Sequence, residues 1–222
     1  MFRTRIELKS PEQLALMRRA GLVVARPLTC LGEQVCPGIT TGELDAIARE
    51  LLAENGATSS FLNYGAEWGS VPFPAVTCIS TNDEIVHGIP GERVLARGDL
   101  VSIDFGAIVE GWHGDAARTF FVGQPDEEAR EVSRVTEQAM WAGIGAVRLG
   151  GRVGDVSAAI EASIVDDGRK LGRPWGIVRE FTGHGIGSAM HMEPDVPNWG
   201  KPGKGPRFAE GMVVLSLIHI SE

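Results

Sequence analysis

Cysteine is scarce: Cys30, Cys36 and Cys78 are the only three in 222 residues, an odd number with no CxxC pair. That excludes a disulfide framework and a thiolate zinc site, and it fits a reducing compartment. Long apolar runs are missing as well. No stretch approaches the roughly 18 apolar residues of a membrane span, and the opening MFRTRIELKSPEQ is charged where a signal peptide would be apolar. A cytoplasmic location and no membrane partner are therefore expected. Basic charge is also in deficit, with a net charge of −8 and an isoelectric point near 5.2. A nucleic-acid partner would favour a basic face, so none is expected. Apolar content is plentiful at 43%, enough for one substantial core and a single domain over residues 1–214.

Ser10-Pro11-Glu12-Gln13 is a helix start, with serine as N-cap, proline at the first helical position and Gln13 placed to close a capping box. Leu14, Met17, Gly21, Val24, Leu28 and Leu31 then recur at helical spacing, giving one face to bury. A second helix is predicted from Thr41 to a stop at Asn55-Gly56. Shifting the numbering by 112 places Val35, Gly38, Gly42, Ala46 and Gly56 on Val147, Gly150, Gly154, Ala158 and Gly168. Glu43 falls on Asp155 and Leu44 on Val156, as an internal duplication of one helical pair would require.

Between the helical pairs the period changes to two. Leu100–Phe105 and Ala117–Val122 are predicted strands, with Glu110-Gly111 as a hairpin turn between them. The expected class is α+β, with helices covering an antiparallel sheet. In that register Asp104 lies opposite Ala117, and Asp115 lies two residues away on the same face. Two such carboxylates repel unless a divalent cation lies between them. The alternative is one surface aspartate and one turn aspartate, and a three-residue loop would flip the parity.

Five histidines are present. His184, flanked by glycines in TGHGIGSAMH, can project towards a ligand, and His191 follows seven residues later. Each taken singly also fits a structural histidine. His113 shares a face with Asp115 and is expected to pack beside the site rather than bind metal. The glycines at 183, 185 and 187 do not have GxGxxG spacing, so a phosphate loop is not indicated.

The segments NDEIVHGIP, DFGAIVEGWHGD and TGHGIGSAMH resemble successive signatures of type I methionine aminopeptidases, and the resemblance runs from about Ile6 to about Val214. It implies the pita-bread (creatinase/aminopeptidase-like) fold with pseudo-two-fold internal duplication. It further implies two divalent metal ions (Co, Mn, Fe or Zn), with Asp104 as ligand of one, Asp115 bridging both and His184 binding the other. His87 and His191 resemble the catalytic histidines that contact substrate, and Tyr64, Phe73, Cys78 and Met190 the lining of the methionine pocket. Glu67–Val71 looks like an insertion there. The implied activity is removal of the initiator methionine from nascent polypeptides with a small second residue, near the ribosome, by a monomer.

The pattern departs at the end. Leu217 stands where the family carries a metal-binding glutamate, and LSLIHISE reads like the translation of a transposon-end adapter used in sequencing libraries. The expectation is that residues 215–222 are non-native, that His219 and Glu222 have no role, and that the polypeptide as written holds three of five metal-binding side chains and is inactive. Two rivals remain: a proline-specific aminopeptidase or creatinase-like hydrolase of the same fold, and a non-catalytic binding protein on this scaffold. The relatives of the first usually carry a large N-terminal domain. The second would have lost Asp104, Asp115 and His184.

Overall fold

The computed structural model describes residues 6–221. The chain divides into two compact units, one spanning Glu12–Asp126 and the other combining Met1–Pro11 with Glu127–Glu222. Among the described residues no helix is long and apolar enough to cross a membrane.

The first unit is built on α1 (Pro11–Gln34) and α2 (Thr41–Glu54). Met17, Val24, Leu28 and Leu31 of α1 are buried, as the helical spacing predicts, whereas Leu14 in the first turn stays 37% exposed and Ala20 is buried where Gly21 was expected. α2 is capped by Thr40, whose side chain accepts from Glu43 N while the Glu43 carboxylate accepts from Thr40 N. The sheet comprises β1 (Thr58–Ser59), β2 (Thr77–Thr81), β3 (Leu100–Val109) and β4 (Trp112–Phe121). β3 is its central strand, antiparallel to β4 on one edge and to β1 and β2 on the other. Alternate residues of β3, namely Val101, Ile103, Phe105 and Ala107, enter a core with Leu28, Leu31, Leu44 and Leu52. β4 lies so close to α1 that a Cβ at Gly114 would come within 2.7 Å of the Ala20 backbone.

The second unit contains α3 (Glu127–Ala146), α4 (Val153–Leu171), β5 (Gly176–Ile177), β6 (Gly183–Gly185), β7 (Met192–Val196), β8 (Val214–Leu215) and β9 (Ile220–Ser221). β6 is central to a three-stranded sheet between β7 and β8, and β5 pairs β9. Val135, Ala139, Val156, Ile160 and Ile164 form its core with Trp175, Val196 and Phe208. Residues of the segment expected to be foreign take part: β9 pairs β5, and Ile218 packs against this core.

The duplication is visible bond by bond. In the first unit Gly38, Thr41 and Gly42 donate backbone bonds to Leu95, Arg93 and Gly91. Gly150, Val153 and Gly154, each 112 further on, donate to Phe208, Pro206 and Lys204. Asp155 accepts from Arg152 N at 2.8 Å, as Glu43 does from Thr40 N at 2.7 Å. One predicted equivalence fails in detail. Gly56 turns the chain after α2 with φ +61, but Gly168 stays helical and α4 runs on to its cap at Gly172. A Cβ at Gly168 would lie 2.8 Å from Arg173 O, so glycine is needed there for close packing instead of for a turn.

Candidate metal and substrate site

Glu110 and Gly111 both have positive φ, 50° and 80°, the conformation a two-residue hairpin turn needs. The two-residue turn fixes the parity. Asp104 pairs with Ala117 and Asp115 with Gly106, which puts both carboxylates on the face of the hairpin opposite Val101, Ile103 and Phe105. The two carboxyls are hydrogen-bonded to each other. Burial pushes Asp104 well above the ordinary carboxylate range, with the Asp115 charge adding to it, while the amide of Phe105 pulls the other way. Burial also raises Asp115, to about 6, against bonds from Asp104 and the Ala116 amide. Asp115 Oδ1 is buried without a hydrogen-bond partner. A buried, unpaired oxygen beside a second carboxyl is a donor set that suits a hard divalent cation.

The same unit carries four other expected residues, Cys78, His87, Tyr64 and Phe73. Cys78 faces Asp104 across the β2–β3 pairing; burial, then the charges of Asp104, Asp115 and Asp45, push its thiol pKa up, so it is not a thiolate nucleophile. His87 has φ +59, a left-handed conformation that a non-glycine residue adopts at some cost. The next residue anchors it: Gly88 N donates to Ser80 Oγ at 3.1 Å, and a Cβ at Gly88 would lie 2.2 Å from Ile79 O. Tyr64 and Phe73 are joined through their backbones, Phe73 N donating to Tyr64 O at 3.0 Å. The Glu67–Val71 region leaves and returns through that junction, and Trp68 sits edge-on to Tyr64 with ring centroids 5.1 Å apart. His113 Nδ1 is 2.9 Å from Ser60 Oγ.

The second unit holds His184 and His191. His184 sits in the middle of β6, 7% exposed. Cβ atoms at Gly183 and Gly185 would come within 2.2 Å of Leu215 O and Glu193 O, so the flanking glycines let β6 run between two backbones. The ring's Nδ1 donates to Gly185 O at 2.8 Å, which leaves the Nε2 lone pair as the free ligand position. Burial lowers the pKa of His184, against the Gly185 carbonyl and the Asp195 charge, and so favours the neutral imidazole that binds metal. The His191 ring lies 4.3 Å from that of His184, tilted by 51°. Met190 precedes it in the turn between β6 and β7.

Sequence reasoning missed Glu7, whose carboxylate accepts from Ser188 Oγ at 2.5 Å, because 181 residues separate the partners and no local pattern links them. It also missed buried Asp45, which accepts from Val76 N, Thr77 N and Thr77 Oγ1. An aspartate between Leu44 and Ala48 on the buried face of α2 was its one available signal. Among the described residues no three His, Cys, Asp or Glu side chains are gathered as a metal cage. The groups brought together are Asp104 with Asp115 in one unit and His184 with His191 in the other.

The metallopeptidase family M24 profile matches residues 15–216. The chain belongs to family M24. Its relatives include a methionine aminopeptidase of Clostridium perfringens, 44% identical over 94% of this chain and 79% of the relative. Methionine aminopeptidase 1 of Mycobacterium tuberculosis is 45% identical over 93% and 76%. The crystal structure of methionine aminopeptidase from Rickettsia prowazekii superposes with a TM-score of 0.89 at 33% identity, covering 97% of this chain and 82% of that one. Prolidase from Pyrococcus furiosus, at 23% identity and a TM-score of 0.76, shares the pita-bread fold alone. Membership of M24 carries with it use of divalent metal.

Proposed function

We propose that this chain is a methionyl aminopeptidase that removes the initiator methionine from nascent polypeptides with a small second residue, acting as a monomer in the cytoplasm. The observation that carries the reading is the buried Asp104–Asp115 pair with its unpartnered Oδ1, in a chain whose curated relatives at 44–45% identity are named methionine aminopeptidases. Asp104 and Asp115, through carboxylate oxygens, and His184, through Nε2, are the residues that would hold the metal. Two divalent ions, drawn from Co, Mn, Fe or Zn, would supply Lewis acidity and an acidified water when bound. His87 and His191 hold the substrate and donate to the carbonyl oxygen as it gains charge, a kind of contribution worth about 3 kcal/mol for one preorganised donor. Cys78, Tyr64, Phe73 and Met190 line the methionine side-chain pocket.

Leu217 bears on how well this chain holds its ions. Gly98-Asp99-Leu100-Val101-Ser102-Ile103-Asp104 and Gly211-Met212-Val213-Val214-Leu215-Ser216-Leu217 align at an offset of 113, which puts Leu217 in the place of Asp104. An apolar side chain offers no oxygen, so metal affinity is expected to be weak and to rise in Leu217→Glu. The test is methionine release from Met-Ala and Met-Gly with manganese or cobalt supplied, in the chain and in that variant. Metal-dependent release that spares Met-Leu is expected, close to the limit of detection in the chain as it stands, where the sequence implied inactivity, and raised in Leu217→Glu. Cleavage of Xaa-Pro peptides alone would replace this reading with the proline-specific one.

A further inference from the structure

The turn that carries His191 links β6 to β7. Ser188 and Ala189 are exposed, and the turn's internal backbone bond runs from Gly187 N to Ala189 O, with Ile186 N reaching out to Val213 O. What grips it is the opening segment of the chain. Glu7 accepts from Ser188 Oγ at 2.5 Å and from Ser188 N at 3.3 Å. Burial alone would raise the Glu7 carboxyl, yet these two bonds, with Lys9, hold it below its ordinary value. Lys9 Nζ lies 3.3 Å from Glu7 Oε1, and the lysine side chain is only 2% exposed. A Cβ at Gly187 would meet both groups, at 2.4 Å from Glu7 Oε1 and from Lys9 Cε, so the turn rests directly on the ion pair.

The segment is itself fixed from the other side. Lys9 N donates to Gly211 O at 2.8 Å, Leu8 bridges to Met212, and Gly211, at φ +79, has no room for a Cβ against Lys9 O. Residues 7–9 thus form a strap between the 211–213 segment and the histidine turn. A charge-assisted two-point grip on an exposed turn restricts it far more than one neutral bond does. It acts three residues before His191, whose ring packs on His184.

We infer that Glu7, braced by Lys9, is a positioning residue that sets the His191 turn through Ser188. The inference rests on the proposed role of His191 for its effect on catalysis, but its structural content stands apart from that role. The experiment compares Glu7→Ala, Glu7→Gln, Ser188→Ala and the Glu7→Ala/Ser188→Ala double variant in the metal-free full chain. Amide exchange at residues 186–191 and the His191 ring-proton resonances are the readouts. Glu7→Ala is expected to speed exchange in the turn by about tenfold or more and to move the His191 resonances. Exchange in β3 and β4 should be unchanged, Glu7→Gln should recover part of the effect, and the double variant should add little to Glu7→Ala. Where activity is measurable on Met-Ala, kcat should fall with KM unchanged. If Glu7→Ala fails to fold, Ser188→Ala, which keeps the ion pair, decides the matter by the same readouts. Unaltered exchange and resonances in the folded variants, or a loss of protection spread evenly over the chain, would overturn the inference. Absence of aminopeptidase activity with the turn effects intact would instead count against the proposed function alone.

Discussion

At the start of α2 and the start of α4 the backbone makes the same hydrogen bonds, and the side chains beneath them differ. Asp45 takes three bonds from Val76 and Thr77, where Ser157, 112 further on, bonds Val153 O one turn back in its own helix. The divergence is larger at the chemical positions. One unit carries two buried carboxyls on one face of a hairpin, the other a buried imidazole with a second stacked on it. Duplicated segments keep what the backbone requires, such as the positive-φ glycines Gly38 and Gly150, and are free to change everything that points into a site.

The largest expected effect lies in the acid pair. Asp104→Asn or Asp115→Asn should lower metal-dependent methionine release by about three orders of magnitude, while His191→Ala costs about a hundredfold, since one removes the ion and the other a single donor. Comparable losses from all three would erase the division of labour between the units. Next comes the buried aspartate: Asp45→Ala strands two backbone amides and a hydroxyl, so denaturant unfolding should register a loss of about 3 kcal/mol, against under about 1 kcal/mol for Ser157→Ala. Equal losses would mean that the two helix starts are supported alike.

A third prediction concerns pH in the metal-free protein. Asp104 and Asp115 titrate above their ordinary value of 3.8 in the fold, Asp115 at about 6, so the folded chain keeps protons that the unfolded chain releases. Stability is therefore greatest at low pH with respect to this pair and falls as pH rises through about 6, the reverse of a salt-bridged carboxylate. Thermal unfolding of Asp115→Asn should lose the Asp115 share of that slope and keep the part due to buried Asp104, and manganese, which binds the deprotonated pair, should oppose the slope in the parent. The smallest effect belongs to the shared frame. Gly38→Ala and Gly150→Ala, both at positive φ, should each cost about 1 kcal/mol, and a cost confined to one of them would question the equivalence of the repeats.

Much of this was legible in the sequence because it is periodic or punctuated. Ser10-Pro11, Thr41 and Asn55-Gly56 marked helix ends that the structure places at Pro11, Thr41 and Glu54, and Glu110-Gly111 set the parity that puts Asp104 and Asp115 on one face. The strands were read too short. Gly106, Ala107 and Gly114 have weak strand preference, yet they continue β3 and β4 because small residues fit beneath Phe61 and α1. The offset of 112 equates Gly168 with Gly56 at the end of α2, but α4 runs past Gly168, which packs against Arg173. The grip of Glu7 on Ser188 depends on tertiary approach alone, and no spacing rule reaches across it.

The most direct test is a crystal structure of the protein grown with manganese, with the ions located by anomalous scattering. The account requires the carboxylates of Asp104 and Asp115 and Nε2 of His184 to lie within about 2.0–2.6 Å of bound metal, with Asp115 Oδ1 among the ligands. Metal bound without either aspartate, or His184 turned so that Nδ1 and not Nε2 meets the ion, would contradict it.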